Sequence, residues 1–448
     1  MPFELIFELI NEKDRVRCVM KVKGVRVYGK ADLRLEEFEL PPVREDEILV
    51  RPVTDSVCMS TNKLVMMGQE NDRAHKDMGN HPCIIGHEFC GRILEVGDRW
   101  KEVYKPGDMF IIQPALNSLG IPDSPGFTFP YCGGNATLAI MPHEVMETGN
   151  LITCELPAYY MGSLAEPLST VCCAINAFFH TTPGYYEYLP GMAENSRMAV
   201  LAGAGPMGLA AVSYALHNEK RNPKLLVVTD IDEERLRRAA RVFPPEKYAA
   251  RGITLLFVNT GSMKDPVREL RQLSLQGIQK KNSTAGDGFD DILVMAPNEP
   301  VLVQADEILA VNGCLNFFAG PRDTGLKAPV NYFRVHYDST HIIGTKGGTD
   351  RDMREVADLM TRGVLDPSPL ITYIGGLPAV RETVLNLPQI PGGKKMIYAH
   401  LDLPLMALDE LEKQEDPRLR RLGEMVREND GVWSPDCEHY LLQAFAAE

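Results

Sequence analysis

None of the ten cysteines, at 18, 58, 83, 90, 132, 154, 172, 173, 314 and 437, forms a C-x-x-C pair. That excludes a dense disulfide framework and predicts a reducing, cytoplasmic setting. No apolar run reaches the roughly 18 residues that cross a bilayer. Met1 to Ile10 is broken by Glu4 and Glu8 and has no basic lead-in, so neither a membrane span nor an export signal is expected. Positive charge is short: 47 Lys plus Arg face 61 Asp plus Glu, a formal charge of −14. Nucleic acid is thereby excluded as the main partner, while a single basic pocket for a small anion is not. Internal repeats and low-complexity tracts are also missing.

What the chain does have is length and an ordinary globular mixture, 448 residues with 44% hydrophobic and 24% charged. That predicts two to three domains of roughly 100 to 200 residues each. From about 16 to 188 the chain shows short alternating segments such as Leu33-Arg34-Leu35-Glu36 and Ile48-Leu49-Val50-Arg51, cut by Pro and Gly, the pattern of a β-rich unit. After Pro190-Gly191, apolar segments at 198–202, 225–229, 254–258, 292–295 and 314–318 alternate with helical spacing, which predicts a doubly wound parallel sheet. The fold class is therefore α/β. Beyond His341 come a Gly-rich loop, a helix near 353–361 and a strand near 396–399, which return the chain to its first unit. The charged stretch 403–448 reads as mostly helical, with a surface or subunit contact as its expected role.

Gly203-Ala204-Gly205-Pro206-Met207-Gly208 follows the apolar segment 198–201 and opens a helical stretch, 209–216. In this order the first glycine permits a tight turn, the second lets a pyrophosphate approach the backbone, and the third lets the helix pack closely. With strand and helix both in context, the turn is read as a dinucleotide site and not as a plain connector. Asp230 ends the next apolar segment, where a carboxylate accepts hydrogen bonds from the adenosine ribose and repels a 2′-phosphate. NAD(H) is preferred on that ground, and Arg235, Arg237 and Arg238 keep NADP(H) open. The distance from Gly203 to Asp230 exceeds the usual roughly 20 positions, with 218–224 reading as a loop that lengthens the connection.

Gly86-His87-Glu88, followed by Gly91 and Val96-Gly97, is the second informative block. With Cys58 upstream it offers a thiolate, an imidazole and a carboxylate, the ligand chemistry of a catalytic zinc. Glu166, in Leu164-Ala165-Glu166-Pro167, adds a second carboxylate, and three or four ligands from separate loops suit an open catalytic site. A metal beside a nicotinamide implies alcohol or ketone redox chemistry.

These blocks, with Ser60 close behind Cys58, Gly107-Asp108 and Gly133-Gly134-Asn135-Ala136, resemble the zinc-dependent medium-chain dehydrogenase/reductases over about 16–399. The resemblance implies a GroES-like catalytic domain at 1–190, a Rossmann NAD(P)-binding domain at 191–345, and at 346–448 a return to the catalytic domain with a C-terminal helical extension. It also implies zinc held by Cys58, His87, Glu88 and Glu166, the last directly or through water, with Glu88 also counted as catalytic. Ser60 becomes the hydroxyl of a proton relay, and Phe318 joins Gly203, Gly205, Pro206, Met207, Gly208 and Asp230 at the cofactor. Glu166-Pro167 stands where alcohol dehydrogenases carry a zinc cysteine, which points to the polyol branch. The stretches 55–61, 316–321, 385–388 and 392–395, with Trp433 and Tyr440-Leu441-Leu442 in the tail, are similar to L-sorbose-1-phosphate reductases.

Two departures accompany the resemblance. The family has Gly directly after this cysteine and Asp three places after it, where this chain has Met59 and Thr61, so the partner that orients the metal histidine is unassigned. The run 68–81 reads as an insertion. Only Cys90 and Cys132 occur between His87 and Asn150, too few for a four-thiolate lobe, so one zinc per chain and no structural zinc is expected.

The implied reaction moves hydride between NAD(P)H and the ketone of a ketose phosphate. A phosphate calls for Arg or Lys near the cleft, and Lys63, Arg73, His75, Lys76 and Lys346 are the candidates. A zinc-dependent dehydrogenase of an unphosphorylated polyol or secondary alcohol is the alternative. A noncatalytic dinucleotide-binding sensor, to which Met59 and Thr61 lend weight, is the alternative of another class. The expected partners are a small-molecule ketose phosphate or polyol and further copies of the chain, as a dimer or tetramer.

Overall fold

Ile48–Ser56 is buried along nearly its whole length, as expected of a strand with apolar residues on both faces. In the computed structural model, which describes residues 20–71, 73–116, 120, 123–277, 286–321 and 323–446, this strand sits inside an eight-stranded sheet. The order is Met406–Ala407, Ile371–Gly376, Lys394–Tyr398, Ile48–Ser56, Phe89–Val96, Met109–Ile112 and Leu151–Thr153, with Ala139–Met141 also paired to Ile48–Ser56. Met1 to Ile10, Cys18 and the start expected near residue 16 lie outside the described residues. The late strand Lys394–Tyr398 runs antiparallel to Ile48–Ser56 with Met396 opposite Ser56, so the chain does return to its first sheet.

The second sheet has six strands, every neighbouring pair parallel. Counted along the chain, its strands stand in the order third, second, first, fourth, fifth and sixth: Thr254–Asn259, Leu225–Asp230, Arg197–Leu201, Phe289–Val294, Leu309–Phe317 and His341–Gly344. The order reverses beside Arg197–Leu201, which opens a ligand crevice beyond the carboxyl ends of the strands. This is the expected α/β architecture of a GroES-like sheet unit with a Rossmann sheet.

The helix Tyr159–Asn176 joins the two layers. It is buried on almost every side. It packs on Ile48–Ser56, Phe89–Val96 and Met109–Ile112, and on the helices Pro206–His217 and Asp350–Thr361. The largest core cluster runs through it, from Cys90 and Ile111 by way of Leu164 and Leu168 to Met198, Val228, Leu422 and Trp433.

Two expectations are corrected. Glu166 is not on a loop, because it and the apolar run after it share this one helix, which tolerates Pro167 inside it. Proline removes a helix hydrogen bond and suggests a break in sequence, but burial between two layers outweighs that local cost. The tail forms the helices Pro417–Glu428 and Pro435–Ala444, yet it is no surface appendage: Leu422, Trp433 and Leu441 are fully buried in the main core. Among the described residues, no helix is long and apolar enough to cross a membrane.

Candidate active site

Cys58 is the N-cap residue of the helix Met59–Met67, just past the end of Ile48–Ser56. His87 and Glu88 follow the Gly86 turn and enter Phe89–Val96, the neighbouring strand. Gly86 has a φ of 98°, and a Cβ there would stand 2.3 Å from Asn135 Nδ2 and 2.8 Å from Asp55 Oδ1. Both the backbone angle and the space therefore require glycine. The Ser56 amide donates to the Glu88 carbonyl at 3.0 Å, which ties the two segments together.

The ligand atoms of Cys58, His87 and Glu88 all lie within 4.8 Å of one another, the one such group of three among the described residues. Sulfur, nitrogen and oxygen donors at that spacing can close around one cation whose own bonds are about 2.0–2.3 Å long. Thr61 Oγ1 lies 3.2 Å from His87 Nδ1, while Ser60 Oγ lies 3.1 Å from Nε2 and donates to Cys58 Sγ at 3.1 Å. Thr61 thus stands where the orienting partner was unassigned, and its hydroxyl fixes the ring with Nε2 turned toward the cysteine side. Phe127 packs on the imidazole with ring centroids 4.6 Å apart. Burial brings the His87 imidazolium down to about 4, against the pull of Glu88, so the ring is a neutral donor at physiological pH.

Glu88 is already engaged. The Lys394 ammonium donates to its two oxygens at 2.8 and 2.6 Å, and the Ser56 hydroxyl donates to Oε2. Burial, the largest influence, depresses Lys394, but Glu88 together with Cys58 and Glu166 holds the ammonium above the ordinary lysine value. The pair is closed off from water, its side chains 6% and 1% exposed. Behind it, Asn135 Nδ2 donates to Asp55 Oδ2 at 3.0 Å, and burial followed by the Glu88 charge pushes the Asp55 carboxyl well above its usual range. Sequence reasoning missed Lys394 as a site residue. The run at 392–395 was visible, but its reach to Glu88 depends on strand pairing that no local pattern encodes.

Glu166 is not part of the three-residue group, yet it shares the same electrostatic field. Its carboxylate has no hydrogen-bond partner among the described residues, and burial followed by the Glu88 charge pushes it up to about 8, against Lys394 and Arg73. The Cys58 thiol is pushed up to about 12 by burial and then by Glu88. A buried carboxylate with unengaged oxygens, beside a thiol and a neutral imidazole, is a donor set suited to a divalent cation, whose charge would reverse both upward shifts.

The cationic candidates separate clearly. Lys63 Nζ donates to the Gly320 carbonyl at 2.8 Å, Lys76 Nζ donates to the carbonyls of Gln69 and Asn71 at 3.1 and 3.3 Å, and His75 Nδ1 accepts from the Asp77 amide at 3.1 Å. Arg73 is different. Its guanidinium lies 5.5 Å from the centroid of Phe127, the ring that also packs on His87, and its charge acts on both His87 and Glu166. No carboxylate pairs with it among the described residues. Lys346 lies in the loop between His341–Gly344 and Asp350–Thr361.

The glycine-rich turn lies at the switch point of the parallel sheet, with Pro206 and Met207 opening the helix Pro206–His217. A Cβ on Gly208 would stand 2.1 Å from the Gly203 carbonyl oxygen, whereas one on Gly205 would meet nothing within 4 Å. The third glycine therefore allows close packing and the second faces open space, as a pyrophosphate site requires. Asp230 accepts from the amides of Ala204, Ile231 and Asp232 at 3.2, 2.9 and 3.1 Å, which pins the turn to the next strand. Phe318 lies across the crevice, its amide donating to the Val294 carbonyl at 3.2 Å. Arg235 pairs with Asp232 at 3.3 Å, and Arg238 donates to the Pro369 carbonyl at 2.8 Å.

Residues 44–150 match the family described as the alcohol dehydrogenase GroES-like domain. The chain is 42% identical over 423 residues to mannitol-1-phosphate 5-dehydrogenase of Aliivibrio fischeri (strain ATCC 700601 / ES114), covering 94% of this chain and 97% of that protein. It is likewise 42% identical over 421 residues to L-sorbose 1-phosphate reductase of Klebsiella pneumoniae, again 94% of this chain and 97% of the other. Among solved structures, 2R,3R-butanediol dehydrogenase from Bacillus subtilis is similar with a TM-score of 0.66 at 19% identity, covering 84% of this chain and 99% of that one.

Proposed function

Since the chain belongs to the zinc-dependent medium-chain dehydrogenase/reductase family, in its polyol branch, we propose that it reduces the ketone of a ketose phosphate, in the manner of L-sorbose 1-phosphate to D-glucitol 6-phosphate. It is an oxidoreductase of the alcohol and polyol dehydrogenase kind, working with zinc and a nicotinamide cofactor. The observation that carries the phosphate is Arg73, a half-buried guanidinium beside the donor set with no carboxylate of its own among the described residues.

Cys58 and His87, joined by Glu166 in place of the Glu88 that Lys394 and Ser56 already engage, would hold one zinc per chain, with no structural zinc. Bound there, zinc supplies Lewis-acid polarisation of the carbonyl oxygen. A bound dihydronicotinamide would supply the hydride, and Ser60 Oγ, the partly exposed hydroxyl beside both Cys58 and His87, would hand the oxygen a proton that it regains from solvent. Thr61 holds the His87 ring in place during this step. Asp230, with Arg235 and Arg238 engaged elsewhere, supports NAD(H) over NADP(H).

We place the domain boundaries after 190 and 345. The edge strand His341–Gly344 supports a homo-oligomer, because Phe179 bridges exposed Tyr188 to its His341, and the helix just before it in the chain, Tyr332–Tyr337, exposes Tyr332, Phe333 and Tyr337.

The test is NADH oxidation by zinc-assayed protein with L-sorbose 1-phosphate and with free L-sorbose, in wild type and Arg73→Ala. Turnover of the ester is expected. The variant should raise its KM by roughly ten- to a hundredfold with kcat little changed, since a charge-assisted hydrogen bond to an anion contributes about 1.5–3 kcal/mol. Turnover of the free sugar alone would instead make the chain a polyol dehydrogenase. Metal-free protein that binds NADH without turnover would make it a sensor.

A further inference from the structure

The helix that carries Glu166 begins without a cap of its own. Its N-cap residue, Ala158, makes no side-chain cap bond, and the first turn of any helix leaves N–H groups without intrahelical partners. Those of Tyr159 and Tyr160 donate at 2.5 and 2.9 Å to the two carboxylate oxygens of Glu438, on the tail helix Pro435–Ala444. Glu438 is only 2% exposed. Tyr398 Oη donates to the same carboxylate at 3.0 Å, and Tyr398 is the last residue of the strand Lys394–Tyr398. Fully buried Trp433 packs toward Tyr398 with ring centroids 6.4 Å apart, and Cys437 and Leu441 anchor the tail helix in the main core.

One buried carboxyl group, pushed up to about 7 by burial against the pull of the Tyr159 and Tyr160 amides and the Tyr398 hydroxyl, thus bridges two elements that meet again at the active site. The helix brings Glu166, two turns beyond Tyr159, and the strand brings Lys394 to Glu88. An anion at a helix N-terminus is favoured by the helix dipole as well as by the orphan amides. We propose that Glu438 is a positioning residue of the active site: by clamping the Tyr159–Asn176 helix to the Lys394–Tyr398 strand, the C-terminal tail sets Glu166 against the Cys58, His87 and Glu88 group. This rests on the reading of Cys58, His87 and Glu166 as a metal site.

The experiment replaces zinc by cobalt(II) in full-length wild type, Glu438→Gln and Tyr398→Phe, and reads the visible d–d bands and the rate of metal release to a chelator. In both variants the bands shift, and release becomes roughly tenfold faster, the size expected when a group that orients metal ligands is lost. In turnover, kcat falls while KM for NADH holds. Leu422→Ala, which loosens the tail without touching the bridge, lowers Tm but leaves the bands in place. Bands and release rates equal to wild type in both bridge variants overturn the inference, whatever happens to Tm. Should Glu438→Gln fail to fold, Tyr398→Phe decides alone, because it removes one hydroxyl and keeps the packing. Wild-type protein that takes up no cobalt overturns the metal reading, and this inference with it.

Discussion

Cys58→Ala abolishes zinc retention and lowers kcat/KM by roughly a thousandfold or more, while NADH still binds. The direction follows from the donor set: sulfur is the softest ligand of the group, and alanine leaves an imidazole and carboxylates with no atom to replace it. The magnitude follows from chemistry that only the metal supplies, since Lewis-acid polarisation contributes several kcal/mol and each 1.36 kcal/mol is about tenfold in rate. Cofactor binding is spared because the glycine-rich turn and Asp230 belong to the other sheet. Zinc content, NADH titration and steady-state kinetics on one preparation check all three statements. A variant that keeps its zinc and more than a tenth of its activity removes Cys58 from the ligand set.

The largest effect on stability is expected from Lys394→Met. The ammonium and the Glu88 carboxylate are both sealed from water, and taking away one partner leaves the other as an unpaired buried charge, a loss of about 3–5 kcal/mol. Ser56 remains as a donor to Glu88, but one neutral hydroxyl does not replace a cation. Adding Glu88→Gln to Lys394→Met should restore most of the loss, because no orphan charge is then left inside. Urea unfolding of the wild type, both single variants and the double variant gives the coupling directly. A loss below about 1 kcal/mol for Lys394→Met would mean that another group neutralises Glu88.

The strands after residue 190 were readable because a parallel sheet covered on both faces needs apolar segments alternating with helical ones. The turn at Gly203 was readable because its glycines answer to local steric demands, as the 2.1 Å approach of a Gly208 Cβ to Gly203 makes plain. Glu166 was counted among ligands from separate loops, and only the enclosing layers explain a helix that runs on through Pro167. The tail, polar in composition, hid a narrow apolar stripe at Leu419, Leu422 and Val426 that packs inward.

Residue types with strict local requirements were therefore decided by sequence: a cysteine, a histidine and carboxylates of metal-binding chemistry, and a glycine turn open to a pyrophosphate. Tertiary structure alone decided which carboxylate is engaged and which has unengaged oxygens, that Thr61 meets His87, that Arg73 and His87 share the Phe127 ring, and that Glu438 joins the helix of Glu166 to the strand of Lys394. The physical reason is range. A turn or a strand is specified by neighbours a few positions away, whereas pairing Lys394 with Glu88 needs two strands set in register from opposite ends of the chain, and hydrogen bonds and charge act only once that register brings the groups within a few ångströms.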